Sequence, residues 1–137
     1  MPDRNLRCRA ALPPRRNPGC RRPPRRLVTP YHEALSAEIA RLRALHPRIV
    51  LYDCHSIRSR IPHLFDGELP ELNIGTNNGE TCDPALSDAV VAASAGRSHI
   101  LNGRFRGGWT TRQYGRPGEG VHAIQMEIAM RAYLDEP

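Results

Sequence analysis

An abrupt change of composition at Leu27 limits what this chain can fold into more than any other feature. The first 26 residues hold nine of the twenty Arg, six of the thirteen Pro and a single acid, Asp3. Because proline interrupts helices and sheet ladders and neighbouring arginines repel one another, we expect residues 1–26 to be a disordered Arg/Pro-rich tail. A folded domain is expected over residues 27–137, which is within the usual size range of one domain.

The basic character of the chain belongs to this tail. The whole sequence has a formal charge of +6, but from Leu27 onward eleven Arg stand against thirteen acids, which leaves a charge of −2. We therefore do not expect the folded part to bind nucleic acid. For the tail itself three interpretations stay open: a basic arm for nucleic acid or acidic lipid, a solvated tail, and translation from a misplaced start or a shifted reading frame.

Cysteine usage and apolar runs bear on the cellular compartment. The four Cys form no C-x-x-C pair, which argues against a disulfide framework or a Cys-rich zinc module. No apolar run approaches the roughly 20 residues that span a bilayer, so no membrane partner is expected. We expect a cytoplasmic protein with reduced thiols.

The spacing of apolar residues after Leu27 predicts alternating helices and strands. In chain order, the pattern predicts a helix from Thr29-Pro30 to Pro47, a strand over 48–53, a loop over 56–82, a helix from Asp83-Pro84 to Gly96, a strand over 98–102, an extended piece over 109–114, a strand over 121–128 and a short helix near Tyr133. This alternation favours an α/β fold with a mostly parallel sheet.

Asp53 and His55 are the first candidates for a functional site. Residues i and i+2 of a strand point the same way, so the two side chains share a face near the carboxyl end of the first predicted strand. An imidazole there can bind a divalent metal, and the carboxylate can orient it. The alternative is an ordinary surface or capping histidine. A catalytic zinc site needs three protein ligands, and the sequence offers one convincing candidate.

A second candidate is the stretch from Asn102 to Gly115, in which Arg104, Arg106 and Arg112 are interleaved with glycines. Glycine lets a ligand approach the backbone, and a guanidinium binds a carboxylate through two hydrogen bonds. The pattern indicates a site for a substrate with carboxylates. A flexible solvated loop is the alternative.

The third candidate is Glu127, at the end of the last predicted strand. Alternation places Ile124, Met126 and Ile128 on one face and Gln125 and Glu127 on the other. An acid on a buried strand is costly unless it is paired or lies in a cleft, which makes Glu127 a candidate general base. A carboxylate at the start of the short final helix is the alternative.

Taken in order, these segments resemble the N-formylglutamate amidohydrolase (deformylase) family. The resemblance covers nearly everything after Leu27, and several motifs in one order are more specific than any one of them. The matching segments are Thr29-Pro30-Tyr31-His32, Asp53-Cys54-His55-Ser56-Ile57-Arg58-Ser59, Asn73-Ile74-Gly75-Thr76, Asn102-Gly103-Arg104-Phe105-Arg106-Gly107-Gly108 with Thr111-Arg112, Tyr114-Gly115-Arg116-Pro117 and Val121-His122-Ala123-Ile124-Gln125-Met126-Glu127.

The resemblance implies a fold similar to that of zinc carboxypeptidases (phosphorylase/hydrolase-like), a mixed sheet with helices on both faces. It implies hydrolysis of N-formyl-L-glutamate to glutamate and formate in histidine degradation, with Zn²⁺ as cofactor. By position, His55 matches a metal ligand and Glu127 matches the general base. Asp53 is the carboxylate that would orient His55. The same comparison suggests the substrate-binding residues Arg104 and Arg112, and then Arg58 and Asn102.

The chain also departs from the family pattern, because members are about twice as long and carry their other metal ligands upstream. Nothing in residues 1–26 resembles that segment, and Cys54 stands where a small residue is usual. We therefore expect a catalytic domain incomplete at its N-terminus, with impaired activity and weak zinc binding. An inactive fragment, a non-enzymatic binding protein with a basic arm, and a hydrolase of another N-acyl or N-formimidoyl amino acid are the alternatives.

Overall fold

The structure is a computed structural model that describes residues 25–136, and their side chains from residue 28 onward. The chain divides into a unit that ends at Leu35 and a second unit from Ser36 to Pro137. Of the described residues, the first unit contains only the beginning of the first helix, and the second unit contains the sheet. Of the tail expected to be disordered over residues 1–26, residues 1–24 lie outside the described residues, whereas Arg25 and Arg26 belong to the first helix.

Three α-helices are present in the described part: α1 (Arg25–Leu45), α2 (Pro84–Ala93) and α3 (Trp109–Tyr114). The predicted start of α1 at Thr29-Pro30 is wrong, because the helix begins at Arg25 and contains Pro30. Arginine and leucine favour helix, and a proline this near the N-terminus removes a single backbone hydrogen bond.

The predicted second helix is confirmed in α2. The side chain of Asp83 accepts a hydrogen bond from the Ala85 N–H and caps the helix, with Pro84 at its first position. Gly96, with φ of +89°, lies just beyond its end. By contrast, the extended piece predicted over 109–114 is wrong, since those residues form α3.

Four strands form one mixed sheet: β1 (Ile49–Ile57), β2 (Leu72–Gly75), β3 (His99–Leu101) and β4 (Val121–Ala129), in the order β1-β4-β2-β3. β1 runs parallel to β4, and β2 runs parallel to β3, whereas β2 and β4 are antiparallel. The predicted mixed, mostly parallel sheet is confirmed. β2 lies within the stretch predicted to be a loop, and β1 extends four residues beyond its predicted end at Asp53.

The two faces of the sheet differ in chemistry, as the alternation along β4 predicts. Ile124 and Met126 pack with Ile74 and Cys82 in a buried core that α2 covers through Leu86, Val90 and Val91. α3 packs against β4 and β1. Because the residue before α3, Gly108, contacts the Gln125 side chain, α3 lies on the opposite, polar face. Helices therefore cover both faces of the sheet.

A second, smaller core closes the carboxyl ends of β1 and β4. Phe65, Leu69 and Ala129 are buried there, with Ile57 and Phe105 packed against them. A single 3₁₀ turn at Met130–Ala132 follows β4 where a short helix was predicted near Tyr133. Within residues 25–136, no helix has the length and apolar character needed to cross a membrane.

Candidate functional site

The parallel pairing of β1 with β4 brings four polar side chains together on the polar face. Asp53 and His55 on β1 lie in register with Gln125 and Glu127 on β4. All four alternate with the core-facing residues of their strands, so they point to the same side of the sheet. The structure thus places Asp53, His55 and Glu127 side by side, whereas the sequence suggested the Asp53–His55 pair and Glu127 separately.

Asp53 orients the ring of His55. The imidazole Nε2 lies 2.9 Å from Oδ1 of Asp53, while 48% of the histidine side chain and 19% of the aspartate side chain remain exposed. A carboxylate at this distance fixes the ring orientation and the tautomer, and leaves the other ring nitrogen available. The pair therefore presents a solvent-accessible imidazole of fixed orientation at the edge of the sheet.

Glu127 is a buried carboxyl, with 7% of its surface exposed. Burial raises the pKa of Glu127, and Asp53 raises it further, while His55 and a hydrogen bond from Gln125 oppose the shift. Desolvation is the largest of these effects. A carboxyl whose pKa is moved toward neutrality is suited to accept a proton from water and to release it later.

Gln125 holds the Glu127 carboxylate in place. Its Nε2 donates to Oε2 of Glu127 at 3.2 Å, and its Oε1 accepts a hydrogen bond from the backbone N–H of Gly108. A Cβ at Gly108 would lie 3.0 Å from that oxygen, so glycine permits the close approach. Sequence reasoning did not select Gln125 as a site residue, although the period of two along β4 placed it beside Glu127.

Asn73, on β2, holds the backbone of Glu127 from the other side of β4. Its Nδ2 donates to the backbone carbonyls of Glu127 at 3.2 Å and Pro70 at 2.9 Å. Its Oδ1 is buried and has no hydrogen-bond partner in the described part of the chain. Asn73 was not selected as a site residue, although Asn73-Ile74-Gly75-Thr76 is one of the segments that match the family, because that segment was predicted to be a loop.

The Arg/Gly-rich loop, residues 103–108, lies against the polar face at β2. The backbone N–H of Asn77 donates to the carbonyl of Arg106 at 2.5 Å. A Cβ on Gly75 would lie 2.5 Å from the backbone nitrogen of Gly107, so only glycine allows this contact. Gly75 pairs with Gln125 in the sheet, and the loop is thereby held beside the polar cluster.

Two of the four predicted substrate-binding residues make local contacts near this loop. Asn102, with φ of +53°, accepts hydrogen bonds from the N–H groups of Thr76 and Asn78 at 2.8 and 3.3 Å. Its Nδ2 donates to the Thr76 hydroxyl, so the amide organises the turn after β2. The guanidinium of Arg104 lies 4.9 Å from the centre of the Phe65 ring.

The other two predicted residues, Arg112 and Arg58, are exposed. Arg112, on α3, donates to the carbonyl of Gly107. A hydrogen bond from Ser59 is the main cause that lowers the pKa of Glu136, and Arg58, which follows β1, lowers it further. Within residues 28–136, none of the four predicted substrate-binding residues makes a hydrogen bond or an ion pair with Asp53, His55 or Glu127, and their role stays a prediction.

The described residues do not by themselves make a complete zinc site. A catalytic zinc is held by three protein ligands and keeps a fourth position for water. In residues 25–136 there is no group of three or more His, Cys, Asp and Glu side chains arranged to hold a metal. His55 offers one imidazole, and the nearest carboxylates are already engaged with it or with Gln125.

Known proteins share this arrangement of segments. A family model described as N-formylglutamate amidohydrolase matches residues 16–134. The N-formylglutamate deformylase of Pseudomonas aeruginosa is 56% identical over 111 residues, which cover 79% of this chain and 42% of the relative. The N-formylglutamate deformylase of Pseudomonas putida is 52% identical over 110 residues, which cover 78% and 41%.

A solved structure agrees with these matches. The crystal structure of N-formylglutamate amidohydrolase from Ralstonia eutropha JMP134 superposes with a TM-score of 0.69 at 25% identity, over 78% of this chain and 41% of that one. The chain therefore spans about two-fifths of the length of the curated relatives it matches. The family match covers most of the chain, including both strands of the polar cluster. The chain belongs to the N-formylglutamate amidohydrolase family.

Proposed function

We propose that this chain carries the catalytic face of an enzyme that hydrolyses N-formyl-L-glutamate to L-glutamate and formate. The observation that carries the proposal is the buried Glu127 carboxyl, with a raised pKa, in register with the Asp53–His55 pair. The two Pseudomonas relatives, which share more than half of their aligned residues with this chain, are named for deformylation of N-formylglutamate.

In this proposal Glu127 removes a proton from the attacking water. The water oxygen bonds to the formyl carbon, the C–N bond breaks, and the proton held by Glu127 passes to the departing amine. Gln125 restrains the carboxylate through its hydrogen bond to Oε2. Because burial raises the pKa of Glu127, its carboxylate accepts the proton more readily than an exposed carboxylate does, and it can return the proton in the second step.

His55 is the proposed ligand of a zinc ion, and Asp53 is the residue that orients it. Zinc, when bound, would polarise the formyl carbonyl and the attacking water. The described donors do not complete such a site, so we expect this chain alone to bind zinc weakly. The support for zinc is the accessible imidazole with its carboxylate partner.

The carboxylates of the substrate are assigned to the Arg/Gly-rich loop and its neighbours. Arg104 and Arg112 are both exposed, and they lie before and after Gly107 in the sequence, whose backbone is held against Gly75 on the polar face. Guanidinium groups pair with carboxylates through two parallel hydrogen bonds. Arg58 is a weaker candidate, and Asn102 would act chiefly by shaping the turn at residues 76–78.

A chimera tests the catalytic assignment directly. Residues 27–137 of this chain would replace the matched segment of the Pseudomonas aeruginosa relative, and formate release from N-formyl-L-glutamate would be measured. We expect activity in the chimera, and a loss of about 10²- to 10⁴-fold on Glu127→Gln, the usual contribution of a general base. His55→Ala should remove both the activity and the bound zinc.

The matched control is Glu119→Gln, an exposed carboxylate in the 3₁₀ turn before β4. It should leave the rate unchanged. A folded chimera that releases no formate, or one in which Glu127→Gln and Glu119→Gln have the same rate, would overturn the proposal.

A further inference from the structure

Glu136, which follows the last 3₁₀ turn, contacts Ser59, 77 residues earlier in the chain and just beyond the end of β1. The backbone N–H of Ser59 donates to Oε1 of Glu136 at 2.8 Å, and the Ser59 hydroxyl donates to Oε2. Each oxygen of the carboxylate thus has its own donor, and both donors belong to one residue. Because Ser59 is only 2% exposed, loss of the carboxylate would leave buried donors without the partner they have here.

Ser59 is held in place by contacts that do not involve Glu136. Its carbonyl accepts a hydrogen bond from the N–H of Leu69 at 2.9 Å. Leu69 belongs to the small core at the carboxyl ends of β1 and β4, and Ile57, two residues before Ser59, packs against the same core. The two donors are therefore fixed before any ligand arrives, which lowers the entropy that binding costs.

The surroundings of Ser59 favour an anion. A cleft of about 440 Å³ lies beside it, and besides Glu136 its charged lining residues are Arg58, Arg60, Arg131, Glu68 and Asp135. Without Glu136, three positive charges therefore stand against two negative ones. Arg60 and Arg131 also pair with a neighbouring carboxylate, whereas Arg58 makes no ion pair within residues 28–136. The charges of Arg58 and Arg131 add to the hydrogen bond from the Ser59 hydroxyl, the main cause of the lowered pKa of Glu136.

The segment that brings Glu136 to this place, residues 133–136, makes few other contacts. Tyr133 and Leu134 are each 53% exposed, so they bury little apolar surface. Their backbone N–H groups donate to the carbonyl of Met130, within the 3₁₀ turn that precedes the segment. In the described part of the chain, the Glu136 carboxylate is thus the main attachment of this segment, which we call the 133–136 strap.

We propose that Ser59 is the centre of a binding site for a small carboxylate, which the 133–136 strap closes with its own Glu136. Arg58 and Arg131 supply the charge that attracts the anion. A free carboxylate that takes the place of the Glu136 side chain releases the strap. Because the strap follows β4, occupancy of the site changes the segment next to the strand of the candidate base. The site does not rest on the proposed function, since ligand binding is measured without turnover.

The chemistry of the present occupant indicates the class of ligand. Glutarate has the same five-carbon skeleton as a glutamate residue, from the side-chain carboxylate to the main-chain carbonyl carbon. One of its carboxylates can accept the two hydrogen bonds from Ser59, and the other can lie beside the guanidinium of Arg58. We therefore expect short dicarboxylates to bind, and glutarate is the probe that tests the site.

Competition with Glu136 sets the size of the expected effect. A side chain that the chain holds near its site has a high effective concentration, so a free ligand binds only to molecules in which the strap is open. If the strap is closed in about nine molecules of ten, its removal raises the apparent affinity about tenfold. Glu136→Ala should therefore bind glutarate about tenfold more tightly than the wild type.

Titration of the full chain with glutarate, followed by NMR, tests the proposal. The amide signal of Ser59 should move in Glu136→Ala, because its acceptor is lost, and glutarate should return it toward the wild-type position. In the wild type, saturating glutarate should instead move the signals of residues 133–136. Ser59→Ala, introduced into Glu136→Ala, should weaken binding about tenfold or more, because a hydroxyl donor to an anion is lost.

Asp135→Ala is the matched control, because it removes the same charge from an exposed residue of the same cleft without freeing Ser59. It should bind glutarate as the wild type does, and circular dichroism shows whether each variant is folded. If Glu136→Ala does not fold, Glu136→Gln, which keeps the side-chain shape and loses the charge, takes its place with the same expected order of affinities.

Four results would each overturn the proposal. The first two are equal affinities of the Glu136 and Asp135 variants for glutarate, and no binding to a folded Glu136 variant. The third is an equal response to sulfate at the same ionic strength, because the site would then bind anions in general. The fourth is binding to the wild type that leaves the signals of residues 133–136 unchanged, because glutarate would then lie elsewhere.

Discussion

At the scale of single residues, the polar face combines groups that favour opposite charge states in Glu127. Burial and Asp53 favour the neutral carboxyl, whereas His55 and the Gln125 amide favour the carboxylate. Burial has the largest effect, so the folded protein holds this proton more tightly than the unfolded chain does. A group with that property costs stability when it ionises, and this cost is a common feature of catalytic sites.

Glu127→Gln should therefore be more stable than the wild type, by a margin that grows as pH rises. Below the ordinary carboxyl pKa of 4.5, the group is neutral in both states and contributes no difference. Above that value the unfolded chain ionises first, so wild-type stability falls until pH passes the raised pKa of folded Glu127. The advantage of Glu127→Gln should grow over this window and then level off, as measured by urea unfolding at a series of pH values.

Glu119→Gln, at an exposed site, serves as the control and should follow the wild type. If the difference in unfolding free energy between Glu127→Gln and the wild type did not change with pH, the Glu127 carboxyl would not be desolvated in solution as the structure shows it.

At the scale of secondary-structure elements, those determined by nearby residues were predicted from the sequence, and those determined by distant contacts were not. α2 follows from Asp83, Pro84 and Gly96, which act within a few residues of the helix. β4 follows from its alternation, because one face is core and the other is polar. The shared face of Asp53 and His55 followed from the same period of two.

The missed elements depend on distant partners. β2 has only four residues, Leu72–Gly75, and exists because it pairs with β4 on one side and β3 on the other. Asn73 was missed as a site residue for that reason. α3 contains Trp, Thr and Tyr, which favour strands, but Thr111 is fully buried and the flanking glycines allow close packing. Tertiary contacts override propensity there.

Asp83→Ala should weaken α2 by removing its N-cap. The carboxylate accepts a hydrogen bond from the Ala85 N–H at 2.8 Å, and loss of such a cap costs about 1 kcal/mol. The free energy of unfolding from urea titration measures the effect. Asp88→Ala, an exposed position within the same helix, is the control and should show no loss. Equal effects at the two positions would mean that the cap contributes nothing.

Gly75→Ala should disturb the junction between β2 and the Arg/Gly-rich loop. The new methyl group would lie 2.5 Å from the backbone nitrogen of Gly107, and backbone cannot move aside as a flexible side chain does. Overpacking of this kind costs about 1–3 kcal/mol. Gly118→Ala, where nothing lies within 4 Å, should be nearly neutral by the same unfolding measurement. A neutral Gly75→Ala would show that the loop does not contact β2 so closely.

At the scale of the whole molecule, burial from solvent and strand pairing are distributed unevenly over the sheet. β4 is the best-covered strand, with eight of its nine residues buried, and it has a partner on each side. β1 has a partner on one side, and several of its side chains are exposed. The catalytic candidates lie across this boundary, since Glu127 belongs to the covered strand and His55 to the exposed one.

Amide hydrogen exchange should show this boundary residue by residue. The N–H groups of Leu51, Asp53 and His55 point toward β4 and should exchange slowly, whereas those of Val50, Tyr52 and Cys54 point outward and should exchange fast. NMR on the isolated chain measures the alternation directly. Slow exchange along all of β1 in the isolated chain would mean that its outer side is already paired in solution, and would contradict the position of β1 at the edge of the sheet.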